Sequence, residues 1–192
     1  YEDTVGYFIQ QSRICKDYLL EILFERNLTY RIRIVCCRIL RYSVLSAMQM
    51  EKFVTFVFSE LSCITDTQYA ANLIKVLTSH KYGNAEVVQK LTSYGNLNQY
   101  HEYRQEVYEL IVVLQLTDQF YEYGLLGLPF LKEYNKSIYH GGSEHSLEVF
   151  LLSSQIPEHL DRFIKQFEKE GWVDYCRKHS VSGREFSKKL FD

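Results

Sequence analysis

The sequence between Arg26 and Arg41 contains no acidic residue but holds a cluster of basic ones, namely Arg26, Arg31, Arg33, Arg38 and Arg41. On a helix, Arg31, Arg38 and Arg41 fall within about a quarter turn of one another. Guanidinium groups on one face suit the carboxylates or phosphates of a partner. The alternative is a solvated face that pairs with the chain's own acidic residues. We predict that Arg31, Arg38 and Arg41 bind a partner.

Tyrosine is the second residue type that could form a binding surface, since the chain has 16 tyrosines and 12 phenylalanines. Tyrosine is enriched at protein interfaces, but aromatic residues also fill thick cores. Tyr100, Tyr103 and Tyr108 are the partner-binding tyrosines that we predict. An acidic stripe accompanies them at Glu102, Glu106 and Glu109, and its charges repel unless a basic group meets them.

Metal and catalytic chemistry have weaker support. His140 and His145 flank a Gly-Gly loop, and Cys176 and His179 follow later, which would supply four zinc ligands. Their spacing matches no standard zinc finger, so we predict no metal and no cofactor. The sequence has no phosphate-binding loop, metalloprotease or nucleophile-elbow motif. We therefore expect a non-enzymatic protein, with a metal- or cysteine-dependent enzyme as the remote alternative.

Nucleic-acid binding is the main alternative to protein binding. The C-terminal stretch is basic and interleaved with aromatic residues, and its basic members are Arg177, Lys178, Arg184, Lys188 and Lys189. Together with the Arg26–Arg41 face, it would suit a helical-repeat nucleic-acid binder. The formal net charge of -2 argues against a surface built wholly for nucleic acid. A polar-faced helix that closes the end of a helical stack is the other interpretation of this stretch.

Composition sets the class and the compartment. No apolar run reaches the roughly 18 residues of a membrane span, and no signal peptide is visible. The five cysteines include no CxxC pair, which is typical of a reducing intracellular compartment, cytoplasmic or nuclear. Because the chain begins at Tyr1, we expect a fragment of a longer protein. The absence of a Gly-, Pro- or Ser-rich linker predicts a single domain over residues 1–192.

The elements that must position these residues are helices. Apolar residues recur at three- and four-residue steps along most of the chain, and only 2 prolines interrupt it. The stretch 97–125 is apolar on all sides, so we predict one long, buried central helix there. Residues 28–48 alternate briefly like a strand at 30–35, but the helical period continues, and we predict helix with Ile32, Val35, Cys36, Ile39, Leu40 and Leu45 on its apolar side.

These patterns predict an all-α fold of about ten helices. Several helices fall in consecutive pairs, which favours an irregular HEAT- or armadillo-like α-solenoid, with a compact multi-helix bundle as the alternative. We expect a non-catalytic scaffold or adaptor module that binds another protein, with an acidic or phosphorylated segment as a suitable partner, within a larger complex.

Overall fold

The protein is all-helical in the computed structural model, which describes residues 15–25, 28–129 and 143–171. No strand occurs within these ranges, so the predicted all-α fold is confirmed. The helices are α1 (Cys15–Phe24), α2 (Tyr30–Leu40), α3 (Ala47–Leu61), α4 (Thr67–Ser79), α5 (Ala85–Thr92), α6 (Gly95–Asn98), α7 (His101–Val113), α8 (Tyr121–Leu125), α9 (Ser143–Leu152) and α10 (Pro157–Lys169). The helices predicted at 129–139, 172–179 and 182–191 lie outside the described residues, apart from Pro129.

The chain divides into two compact units. The first comprises residues 1–115 and contains α1 to α7, and the second comprises residues 116–192 and contains α8 to α10. The prediction of one domain over residues 1–192 stays a prediction, and each unit is described by itself below.

Helix α4 is the centre of the first unit. It packs against α2, α3 and α7, while α1 packs on α2, and α5 and α6 pack on α7. More than half of α4 is buried, its covered residues being Tyr69, Ala70, Ala71, Asn72, Leu73, Ile74, Val76 and Leu77. A helix covered on so many sides needs small and apolar residues around most of its circumference, and the pair Ala70-Ala71 permits close approach of its neighbours.

The single long helix predicted over 97–125 is wrong in its extent. Residues 95–98 form the short α6, α7 ends at Val113, and helix resumes only at Tyr121. The break falls at Gln115, whose φ of 58° is left-handed and ends the helix. The end of the helix could not be predicted from residue type, because glycine or asparagine, not glutamine, is the usual residue in this conformation. The α7 segment is nevertheless buried along most of its length, as the apolar pattern predicted.

The helix predicted over 28–48 is also shorter than expected. Tyr30–Leu40 is helical, so helix was the right choice over strand, but a loop follows before α3 begins at Ala47. That start is fixed by a capping box, in which the Ser46 hydroxyl accepts a hydrogen bond from the Gln49 backbone N–H and the Gln49 side chain accepts one from Ser46 N. The Ser-x-x-Gln signature is visible in the sequence and places the boundary that periodicity alone missed.

The second unit contains α8, α9 and α10, each in contact with the other two. Tyr121 of α8 stacks on Phe150 of α9 with ring centroids 6.3 Å apart. Gly124 lies so close to Phe150 that an added Cβ would come within 2.2 Å of its ring. Glycine at this position therefore lets α8 approach α9.

Candidate functional site

One face of helix α2 is covered by the other helices of the first unit, and the opposite face is largely exposed. The covered residues are Arg33, Ile34, Cys36, Cys37 and Leu40. The opposite face is here called the α2 outer face. It consists of the exposed Arg31, Ile32 and Val35, the half-buried Arg38 and Ile39 and, just beyond the helix, the exposed Tyr42. Ile32 is 46% exposed and Val35 is 50% exposed, although both are strongly apolar.

The apolar side predicted for this helix was therefore only partly right. Cys36 and Leu40 are buried as predicted, but Ile32 and Val35 face outward. Arg33 lies on the covered side of the helix. Val35, two residues and about 200° further round the helix, faces the opposite side.

Arg33 anchors α2 to the rest of the unit. Its guanidinium forms a salt bridge with Glu60 of α3, donates to the backbone carbonyl of Glu25 at 2.7 Å and lies 3.5 Å from the Tyr69 hydroxyl of α4. A charged side chain that is 4% exposed is tolerated only when it is paired and hydrogen-bonded in this way. Arg33 is therefore a structural arginine, unlike the three predicted to bind a partner.

The predicted partner-binding arginines lie at or near the surface. Arg31 is exposed and Arg38 and Arg41 are half-buried. Arg41 caps the end of α2, its Nε lies 3.4 Å from the Ser79 hydroxyl, and its guanidinium sits 5.9 Å from the Tyr42 ring centroid. The structure thus places Arg31 and Arg38 on the α2 outer face and turns Arg41 toward α4.

Exposed apolar residues are concentrated around this helix. Of the thirteen large apolar side chains that are exposed within the described ranges, six fall between residues 30 and 48, namely Tyr30, Ile32, Val35, Tyr42, Val44 and Met48. An exposed apolar cluster marks an interaction surface more often than single exposed side chains do. Sequence analysis missed these residues, because amphipathic periodicity assigns apolar side chains to the core.

Two of the three predicted tyrosines are in the core. Tyr103 is fully buried and its hydroxyl donates to the backbone carbonyl of Leu91 at 3.0 Å, and Tyr108 is also buried. Both tyrosines were predicted to bind a partner, but a side chain in the interior of the unit is not accessible to one. Tyr100, at the start of α7, is 43% exposed and remains available.

The acidic stripe of α7 meets a basic group inside the unit. Glu102 is exposed and Glu109 is half-buried, but Glu106 is only 3% exposed and pairs with Lys75 Nζ of α4 at 3.1 Å. Burial raises the pKa of Glu106 to about 7, against the opposing effect of Lys75. Its second oxygen, Oε2, has no hydrogen-bond partner among the described residues. One member of the acidic stripe, Glu106, therefore contributes to the packing of α7 against α4.

A serine, a histidine and an aspartate come together in the second unit. The Ser154 hydroxyl donates to Asp118 and lies 2.9 Å from His159 Nδ1, which is itself 3.4 Å from Asp118 Oδ1. In a nucleophilic triad the aspartate and serine bind opposite nitrogens of the imidazole. Here both meet Nδ1, so the histidine cannot relay a proton between them. The cluster instead forms hydrogen bonds to the backbone just before α10, where the Gln155 N–H donates to Asp118 Oδ1 at 3.1 Å.

The cysteines and histidines give no metal centre in the part of the chain that is described. No group of three or more candidate ligands comes together there. Cys36 and Cys37 are free and buried, and burial raises the pKa of both thiols, which makes them poor nucleophiles. His140, Cys176, His179 and the side chain of His145 lie outside the described residues, as does the C-terminal basic stretch.

Every helix within residues 15–25, 28–129 and 143–171 is too short or too polar to cross a bilayer.

Comparison with known proteins assigns the chain to no family. The sequence matches no protein-family model, no curated protein and no solved structure.

Proposed function

We propose that the chain is a non-catalytic helical module that binds another protein through the α2 outer face. The observation that carries the proposal is the pair Ile32 and Val35, exposed at 46% and 50% between Arg31 and Arg38. Fully burying such a side chain stabilises by roughly 1.5–3 kcal/mol, and about half of that is still to be gained at Ile32 and Val35, which are half exposed. A partner that covers them recovers that free energy.

A protein partner fits this surface better than a nucleic acid does. Phosphate-binding surfaces collect lysines and arginines, with polar groups between them. On the α2 outer face the positions between the two arginines hold isoleucine and valine. Arginine and tyrosine are instead enriched in protein-binding hot spots, where the surrounding contacts serve to exclude water. Nucleic-acid binding through the Arg26–Arg41 region is the second candidate, supported by the absence of acidic residues there.

The packing of the first unit is compatible with a helical repeat. Helix α4 lies against both α2 and α7, while α1, α3 and α5 each pack on one of those three. Consecutive helix pairs with their second members side by side are the arrangement of an α-solenoid. We infer a scaffold role from this arrangement.

The free cysteines support a reducing intracellular location for this module. Cys36 and Cys37 are adjacent and buried, and Cys63 is exposed and free. An oxidising compartment would expose that thiol to disulfide exchange. A cytoplasmic or nuclear site of action is therefore part of the proposal.

The test is site-specific photo-cross-linking in cells, with the photoreactive amino acid at Val35 in the full chain. We expect protein adducts at Val35 that disappear in Arg31→Glu/Arg38→Glu and persist in the charge-matched control Lys52→Glu/Lys81→Glu, which changes exposed lysines elsewhere. A photoreactive group at the exposed Glu86 of α5 controls for random contact. Equal adducts at Glu86 and Val35, or adducts indifferent to the arginine reversal, would contradict the proposal. Adducts to nucleic acid would favour the second candidate.

A further inference from the structure

We draw no further inference here: the strongest candidate, the groove of about 510 Å³ between α3 and the N-terminus of α5, carries nothing because its lining residues Glu51 and Lys81 have opposite charges and nothing else among the described residues shows which ligand would bind at that helix end.

Discussion

Helices α2 and α4 are neighbours in the first unit and are similarly rich in apolar residues, yet they are covered to different degrees. Eight of the thirteen residues of α4 are buried, whereas five of the eleven residues of α2 are. On α4 the residues left less covered are mainly polar. On α2 they include Ile32 and Val35. An apolar side chain on a helix is therefore not sufficient evidence that the fold of the same chain covers it.

A buried arginine lies on the covered side of α2. Arg33 is held there by Glu60 and by the backbone of Glu25. Two residues away, Arg31 is exposed. The same residue type therefore holds α2 in place on one side and creates a charged surface on the other, and only its surroundings distinguish the two roles.

The largest expected effect comes from breaking the buried pair. Glu60→Ala should lower the free energy of unfolding by about 3–5 kcal/mol, because the substitution leaves the Arg33 charge buried without its carboxylate. The lower end of this range applies, since Glu60 is partly exposed. Arg31→Ala should change it by less than about 0.5 kcal/mol. Urea unfolding followed by circular dichroism measures both. The double variant Arg33→Met/Glu60→Leu should recover much of the lost stability. Equal effects of Glu60→Ala and Arg31→Ala would contradict the distinction between the buried Arg33 and the exposed Arg31.

Truncating apolar side chains compares the two helices directly. Leu73→Ala in α4 should destabilise the protein by about 2–5 kcal/mol, because Leu73 is fully buried and its removal leaves a cavity. Val35→Ala in α2 should cost less than about 0.5 kcal/mol, since the side chain is half in solvent. The same unfolding measurement applies. A large loss for Val35→Ala would mean that the α2 outer face is covered within the folded protein.

Glu106, the buried partner of Lys75 in α4, should make stability depend on pH. Because burial raises its pKa to about 7, the native state holds its proton at pH values where the unfolded chain has lost it. Its contribution is therefore most favourable below pH about 4.5 and is lost as the pH rises toward 7, on the order of 1–3 kcal/mol.

Comparing Glu106→Gln with wild type at pH 5 and pH 8 isolates this contribution from other titrating groups. The stability of the variant relative to wild type should increase between the two pH values. Lys75 and Arg41 oppose the shift, while Glu109 on the same helix adds to it. The exposed Glu102→Gln serves as control, and an identical pH response in both variants would show that Glu106 is not the buried titrating group.

The smallest effect concerns how the two helices begin. The Asp66 side chain accepts a hydrogen bond from the Tyr69 backbone N–H at 2.8 Å and caps α4, so Asp66→Ala should cost about 1 kcal/mol. Thr29 occupies the corresponding position of α2 and forms no such bond. Thr29→Ala should therefore be nearly neutral in the same unfolding assay. A matching loss at Thr29 would indicate a cap that forms in solution.

Residue order along the chain was sufficient to predict the fold class. Helical periodicity predicted the all-α architecture and the approximate positions of α4, α5, α9 and α10, because amphipathic repeats and turn residues act locally. Boundaries were predicted less well. The left-handed Gln115 ended α7 without a glycine, and the end of α2 at Leu40 lacked a breaker that periodicity could detect.

The candidate site was predicted by residue type and corrected by burial. Arg31 and Tyr100 are exposed and Arg38 is half-buried, whereas Tyr103 and Tyr108 are core residues and Arg41 turns toward Ser79. Nothing in a single sequence separates a tyrosine that faces α5 from one that faces solvent, because the neighbour that covers it is distant along the chain.

Local features can therefore be predicted from residue order: where helices form, where charge of one sign accumulates, and which faces are apolar. Which of those faces is covered depends on the packing of the helices. Arg33 pairs with Glu60, 27 residues away along the chain, and Lys75 pairs with Glu106 on another helix. Burial is a property of the neighbours, so the exposure of Ile32 and Val35 became visible only once the helices were packed.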